Sequence, residues 1–124
     1  MNVASLELCQ ELYKMSKWEP QDCAVYALLG ESTIFQLVRN PEPNLISMDY
    51  YIPAYDLSFL LRKLPRSVKG DTYRLGLVDN VNSYRAGYYN ERFWEAYEQY
   101  GDTPEDAVAK VAIALFRQGI LMRD

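Results

Sequence analysis

Tyr97-Glu98-Gln99-Tyr100-Gly101-Asp102-Thr103-Pro104-Glu105-Asp106-Ala107-Val108-Ala109-Lys110-Val111-Ala112-Ile113-Ala114-Leu115-Phe116-Arg117-Gln118-Gly119 reads as the end of a strand, a turn and one helix. Thr103 stands at the N-cap, where its hydroxyl can accept a bond from an orphan backbone N–H. Pro104 falls at the first helical position, where a missing N–H costs nothing. Glu105 and Asp106 set negative charge against the positive end of the helix dipole. Asp106 also occupies the capping-box position, from which a carboxylate can reach back to the N-cap. Val108, Val111, Ala112, Leu115 and Phe116 recur on one helical face. Ala107, Ala109, Ile113 and Ala114 widen it, so burial on more than one side is expected. Gly119 supplies a left-handed stop, with Ile120 folding back on Leu115.

Upstream lies the surface this helix has to cover. Ser5 to Trp18 predicts a first helix, with Ser5 as cap, Leu8, Leu12 and Met15 as its stripe, and Pro20 bounding it. Cys23 to Leu29 could continue as helix, but the turn at Gly30-Glu31-Ser32 and the β-branched, aromatic run Thr33 to Val38 favour a hairpin. Ala54 to Leu64 predicts a short helix capped by Asp56 and closed by Pro65. Ser67 to Asp71 reads as a polar turn. Thr72 to Val78 alternates, with Tyr73, Leu75 and Leu77 on one side. Ser83 to Tyr89 alternates too, with Tyr84, Ala86 and Tyr88 together; Phe93 to Tyr97 could be helical by spacing, but the aromatic run ending at Gly101 favours Arg92 to Glu98 as a third strand. The expected architecture is α+β: an antiparallel sheet of three or more strands, covered by N-terminal and C-terminal helices in an α/β sandwich.

The 124 residues predict a single domain, 1–124, and an apolar fraction of 49% suits a chain with a real core. No apolar run reaches a membrane span, and the N-terminus has no signal-peptide pattern, so a cytoplasmic location and no membrane partner are expected. Cys9 and Cys23 form no CxxC pair and read as free thiols. The chain contains no histidine. That removes the usual general base near neutral pH, the usual zinc nitrogen ligand and every Ser/His or Cys/His dyad. No P-loop, GxGxxG, GxSxG or HExxH motif is present. No catalytic residue, cofactor or metal is assigned, and the chain reads as no enzyme. Glu95, Glu98, Asp102, Glu105 and Asp106 form the densest carboxylate cluster; it could hold a hard cation, but helix capping accounts for it better.

Net charge is −4, unevenly placed: Arg62 to Arg92 holds seven bases against three acids, and the remainder six against fourteen. Tyrosine is abundant, with eleven in the chain. Arg74, Arg85, Tyr88, Tyr89, Arg92 and Trp94 are the candidate binding residues, since arginine and amphipathic rings suit interfaces. Tyr73, Tyr84, Tyr88, Tyr89, Tyr97 and Trp94 crowd the sheet, and the competing reading puts half of these rings in the core under the helices. Asp49 and Asp56 flank Tyr50, Tyr51 and Tyr55, which suggests a polar pocket with aromatic walls or an edge packed on the core.

Three segments carry a family resemblance: Leu8-Cys9-Gln10-Glu11-Leu12-Tyr13 ending in Trp18, Ile52-Pro53-Ala54-Tyr55-Asp56-Leu57-Ser58-Phe59-Leu60-Leu61-Arg62-Lys63-Leu64-Pro65, and Gly101-Asp102-Thr103-Pro104-Glu105-Asp106-Ala107 with its helix. Together they resemble small proteins of phages and prophages of Gram-positive bacteria, the phage ABA sandwich family, in which helices cover a sheet. The stretch from Asp22 to Asn40 departs from that pattern. The resemblance implies a phage or prophage accessory protein in the bacterial host cell, with no catalytic residues to carry over. A protein partner, from host or phage, is the expectation, with interference in a bacterial defence system as one task and self-association as a further option. The alternative is a site that sequesters a nucleotide or another small anion between arginine and tyrosine. Nucleic-acid binding suits the acidic remainder of the chain less well.

Overall fold

A computed structural model describes residues 2–21, 23–28, 34–39, 41, 51–70, 73–90 and 96–122. In chain order its elements are α1 (Leu6–Ser16), β1 (Val25–Leu28), β2 (Phe35–Val38), β3 (Tyr51–Pro53), α2 (Leu57–Lys63), β4 (Ser67–Val68), β5 (Tyr73–Asp79), β6 (Tyr84–Tyr89), β7 (Ala96–Gly101) and α3 (Pro104–Arg117). The expected antiparallel α+β architecture is present. Its strands divide between a three-stranded sheet, β2-β1-β3, and a four-stranded sheet, β4-β5-β6-β7.

α3 organises the packing. It lies across β7, β6 and β5 on one side and against α1 and α2 on the other. That double engagement explains why Ala107, Val108, Ala109, Val111, Ala112, Ile113 and Leu115 are all buried. Its ends follow the sequence. Thr103 Oγ1 accepts the Asp106 N–H at 3.1 Å. Gly119 takes φ +75°, while the Ile120 N–H donates to Leu115 O at 2.9 Å and the Gly119 N–H to Phe116 O at 3.1 Å, the two bonds of a Schellman stop. Leu121, not Ile120, packs against the core behind that stop. The other departure is Asp106. Its Oδ1 accepts the Ser5 N–H at 2.7 Å, so its carboxylate serves the start of α1.

β7 meets α3 at Gly101, where a Cβ would stand 2.5 Å from the Ala107 nitrogen, so only glycine permits the approach. β5 and β6 pair in the expected hairpin, from Arg74↔Tyr89 to Asp79↔Tyr84. Between β6 and β7 the register slips, Ala86 facing Gln99 and Tyr88 facing Ala96, which gives β7 one extra residue. Tyr97 absorbs it at φ +58°, a bulge geometry that L-residues adopt at a cost.

Several expectations need correction. Ser67-Val68 is not merely a turn: it pairs with Arg74 and Tyr73 as a short edge strand, and the reversal falls at Lys69 and Gly70, with φ +56° and +66°. α1 ends at Ser16, before Trp18, because Lys17 turns left-handed at φ +57° and donates to Tyr13 O. Ser5 caps α1 without a side-chain bond. The β1–β2 hairpin, in contrast, has its expected antiparallel pairing, and Asp56 caps α2 by accepting the Phe59 N–H at 2.8 Å.

The core joins the three helices to one side of the four-stranded sheet. Cys9, Leu12, Tyr55, Leu60, Ala86, Tyr88, Val108 and Leu115 are fully excluded from solvent. Buried hydroxyls are matched: Tyr55 donates to Trp18 O at 2.7 Å and Tyr88 to Pro65 O at 2.6 Å. Tyr55 stacks on Phe59 at 5.5 Å, and Trp18 bridges Phe59 and Phe116 with centroids at 6.1 and 5.2 Å. Tyr26, on β1, ties the small sheet to the N-terminal segment through Ala4 O at 2.7 Å.

Candidate functional site

Alternation along a strand sends successive side chains to opposite faces of its sheet. Tyr73, Leu75, Leu77, Tyr84, Ala86 and Tyr88 take the face toward α3 and the core. Arg74, Val78, Arg85 and Tyr89 therefore take the other. Cross-strand register aligns them, Arg74 opposite Tyr89, Val78 opposite Arg85, and Arg85 opposite Tyr100. This outer face is the candidate site.

Of the six residues singled out in the sequence, the structure brings three together: Arg74, Arg85 and Tyr89. Arg74 is exposed, and Tyr89 is 38% exposed. Tyr88 is a correction. It is fully buried, its hydroxyl is spent on Pro65 O, and burial pushes its phenol well above the ordinary tyrosine range. It cannot share a surface with Tyr89, its neighbour on the opposite face. Arg92 and Trp94 lie outside the described residues.

Tyr100 and Glu98 join the face unannounced. Tyr100 is 48% exposed, and its hydroxyl donates to Glu98 Oε1 at 2.6 Å. The Arg85 guanidinium stands 4.0 Å from the same oxygen. The period-two spacing of Glu98 and Tyr100 was a usable signal; the bulge at Tyr97, invisible in the sequence, hid which face they take. Lys110 Nζ donates to Tyr100 O at 2.8 Å, placing a cation at the open edge of β7, a common protection of edge strands.

The basic stretch from Arg62 to Arg92 does not form one patch. Lys63 belongs to the helical side, 5.7 Å from the Trp18 ring and 5.6 Å from that of Phe59. Lys69 lies 5.1 Å over Tyr73. The carboxylates are likewise divided: Asp106 serves Ser5, Glu98 serves Tyr100, Glu105 is buried, and Glu95 is outside the described residues. Among the described residues no group of three His, Cys, Asp or Glu side chains could hold a metal ion.

Of the two readings of the stretch around Asp49, Asp56 and three tyrosines, the described residues fit an edge packed on the core. Asp56 is engaged as a helix cap, Tyr55 is core, Tyr51 turns to Glu19, and Asp49 and Tyr50 lie outside the described residues. Both cysteines are free. Cys9 is fully buried, and burial pushes its thiol up to about 12; it supplies no thiolate near neutral pH. What the outer face offers is recognition chemistry: one exposed guanidinium, a second beside a carboxylate, and two half-wet phenols. No helix among the described residues is long and apolar enough to cross a membrane. In comparisons with known proteins, no family model, no curated protein and no solved structure matches the chain.

Proposed function

We propose that this chain is a non-enzymatic recognition protein that acts by binding another protein through the outer face of the β4–β7 sheet. The observation that carries the reading is the alignment of Arg74, Tyr89, Arg85 and Tyr100 on the side away from α3. Tyrosine offers contact area at low entropic cost, and arginine offers directional charge. On the family resemblance, the chain is a phage or prophage accessory protein, its partner is a host or phage protein in the bacterial cytoplasm, and interference with host defence is a fitting task.

Immobilised wild-type chain and the Arg74→Glu/Tyr89→Ala/Tyr100→Ala variant, each exposed to bacterial lysate, test this. One protein retained by the wild type and lost by the variant is the expected result. Recovery of no partner, together with a nucleotide or other small anion raising the melting temperature, would instead favour anion sequestration. The exposed Arg74 beside Tyr89 is the feature that supports that second reading.

A further inference from the structure

A groove of about 330 Å³ opens between the α1–β1 connection and the edge strand β3. Its lining includes Glu19, Pro20, Cys23, Val25, Tyr51 and Pro53. The volume falls at the lower end of small-ligand pockets. Among the described residues, Glu19 is the only charged one in its lining. The remainder is a phenol ring, two prolines, a valine, a half-buried thiol and Gln21.

The carboxylate at the rim is held in place. Glu19 Oε1 accepts the Tyr51 hydroxyl at 2.7 Å and the Tyr13 hydroxyl at 2.9 Å. Both phenols use the same oxygen, leaving Oε2 outside the pair. The bond to Glu19 pushes the Tyr51 phenol up to about 12. Desolvation, then the Glu19 bond, raises that of Tyr13. Both rings therefore remain neutral donors at physiological pH, and the described lining of the groove carries one negative charge, on Glu19. An ordered carboxylate beside aromatic faces suits a cation with an apolar body, because ordering done in advance is not charged against binding. The chain already seats an ammonium on one ring of the pair: Lys17 Nζ lies 4.8 Å from the Tyr13 centroid.

We propose that this groove binds a small organic ammonium ion, with Glu19 as its counter-charge, the Tyr51 ring as its wall, and the Tyr13 and Tyr51 hydroxyls as positioning groups for the carboxylate. Anions are repelled by Glu19, and neutral molecules of the same shape lack the Coulombic term. None of the residues invoked for the outer sheet face lines this groove, so the two readings fail independently.

Titration of the intact chain with choline, followed by amide NMR, tests the assignment. The neutral carbon isostere of choline serves as the shape control. Saturable shifts at Glu19, Gln21, Cys23, Val25 and Tyr51 are expected, with the isostere at least about tenfold weaker, equivalent to about 1.4 kcal/mol. Glu19→Gln weakens choline binding by a similar factor, while Glu11→Gln, a carboxylate of α1 outside the groove, leaves it unchanged. Equal binding of choline and isostere, an unchanged Glu19→Gln variant, an equal loss in Glu11→Gln, or no saturable shift up to tens of millimolar choline would each overturn the proposal.

Discussion

The Asp106 carboxylate accepts the Ser5 N–H at 2.7 Å, tying the first turn of α3 to the start of α1 across 101 positions of sequence. One acidic side chain thus serves two helix N-termini, both of which favour negative charge. Asp106→Ala removes the charge and the acceptor together. It is expected to cost about 1–2 kcal/mol, as loss of a charge-assisted bond does. Asp106→Asn, which keeps an acceptor oxygen, should cost less. Urea unfolding of the three proteins checks the order; equal stability of all three would mean that the contact contributes nothing.

Gly101 and Gly70 separate steric from conformational demand. Gly101→Ala drives a Cβ into the α3 backbone and is expected to destabilise by about 2 kcal/mol or more. Gly70→Ala meets nothing within 4 Å but sits at φ +66°; it should cost about 1 kcal/mol, the penalty of left-handed backbone. Thermal and urea unfolding should rank Gly101→Ala as the more severe change.

Much of this was legible because local and tertiary demands agree. Thr103, Pro104 and Gly119 mark the ends of α3 by their own backbone chemistry, and period-two alternation assigns Tyr84, Ala86 and Tyr88 to one face. The same alternation excludes Tyr88 and Tyr89 from a shared surface, a consequence missed by grouping residues by type. Ser67-Val68 escaped as a strand because two residues carry no periodicity; pairing with β5 makes it one. Asp106 suits a local capping box equally well, and only the position of α1 decides its partner. The Tyr13–Glu19–Tyr51 contact joins separate elements with no spacing signal.

Tyr88→Phe tests whether the core phenol is needed as a donor. It removes the bond to Pro65 O while keeping the ring, and is expected to cost about 1 kcal/mol. Tyr89→Phe, one residue on, should change stability by less than about 0.5 kcal/mol, as exposed substitutions do. Reversal of that order in urea unfolding would contradict the assignment of faces.

Alkaline pH should unfold the protein through its tyrosines. Burial pushes Tyr26 up to about 12, and the bond to Glu19 does the same for Tyr51. Burial raises Tyr55 and Tyr88 also. A phenol whose folded pKa exceeds the unfolded value of about 10 stabilises the fold fully below that pH, and loses the contribution as pH rises through the folded value. Tyrosinate absorbance should therefore rise in two phases, the later one coinciding with loss of circular dichroism. A single phase near pH 10 with the fold intact would contradict it.

The account depends most on the four-stranded sheet having one dry face and one face whose tyrosines Tyr89 and Tyr100 reach solvent. Hydroxyl-radical footprinting read by mass spectrometry measures this directly. Tyr89 and Tyr100 should be oxidised readily in the folded protein, with Tyr55 and Tyr88 protected until it unfolds. Oxidation of Tyr88 as fast as Tyr89, or protection of both Tyr89 and Tyr100 in the isolated chain, would contradict the account.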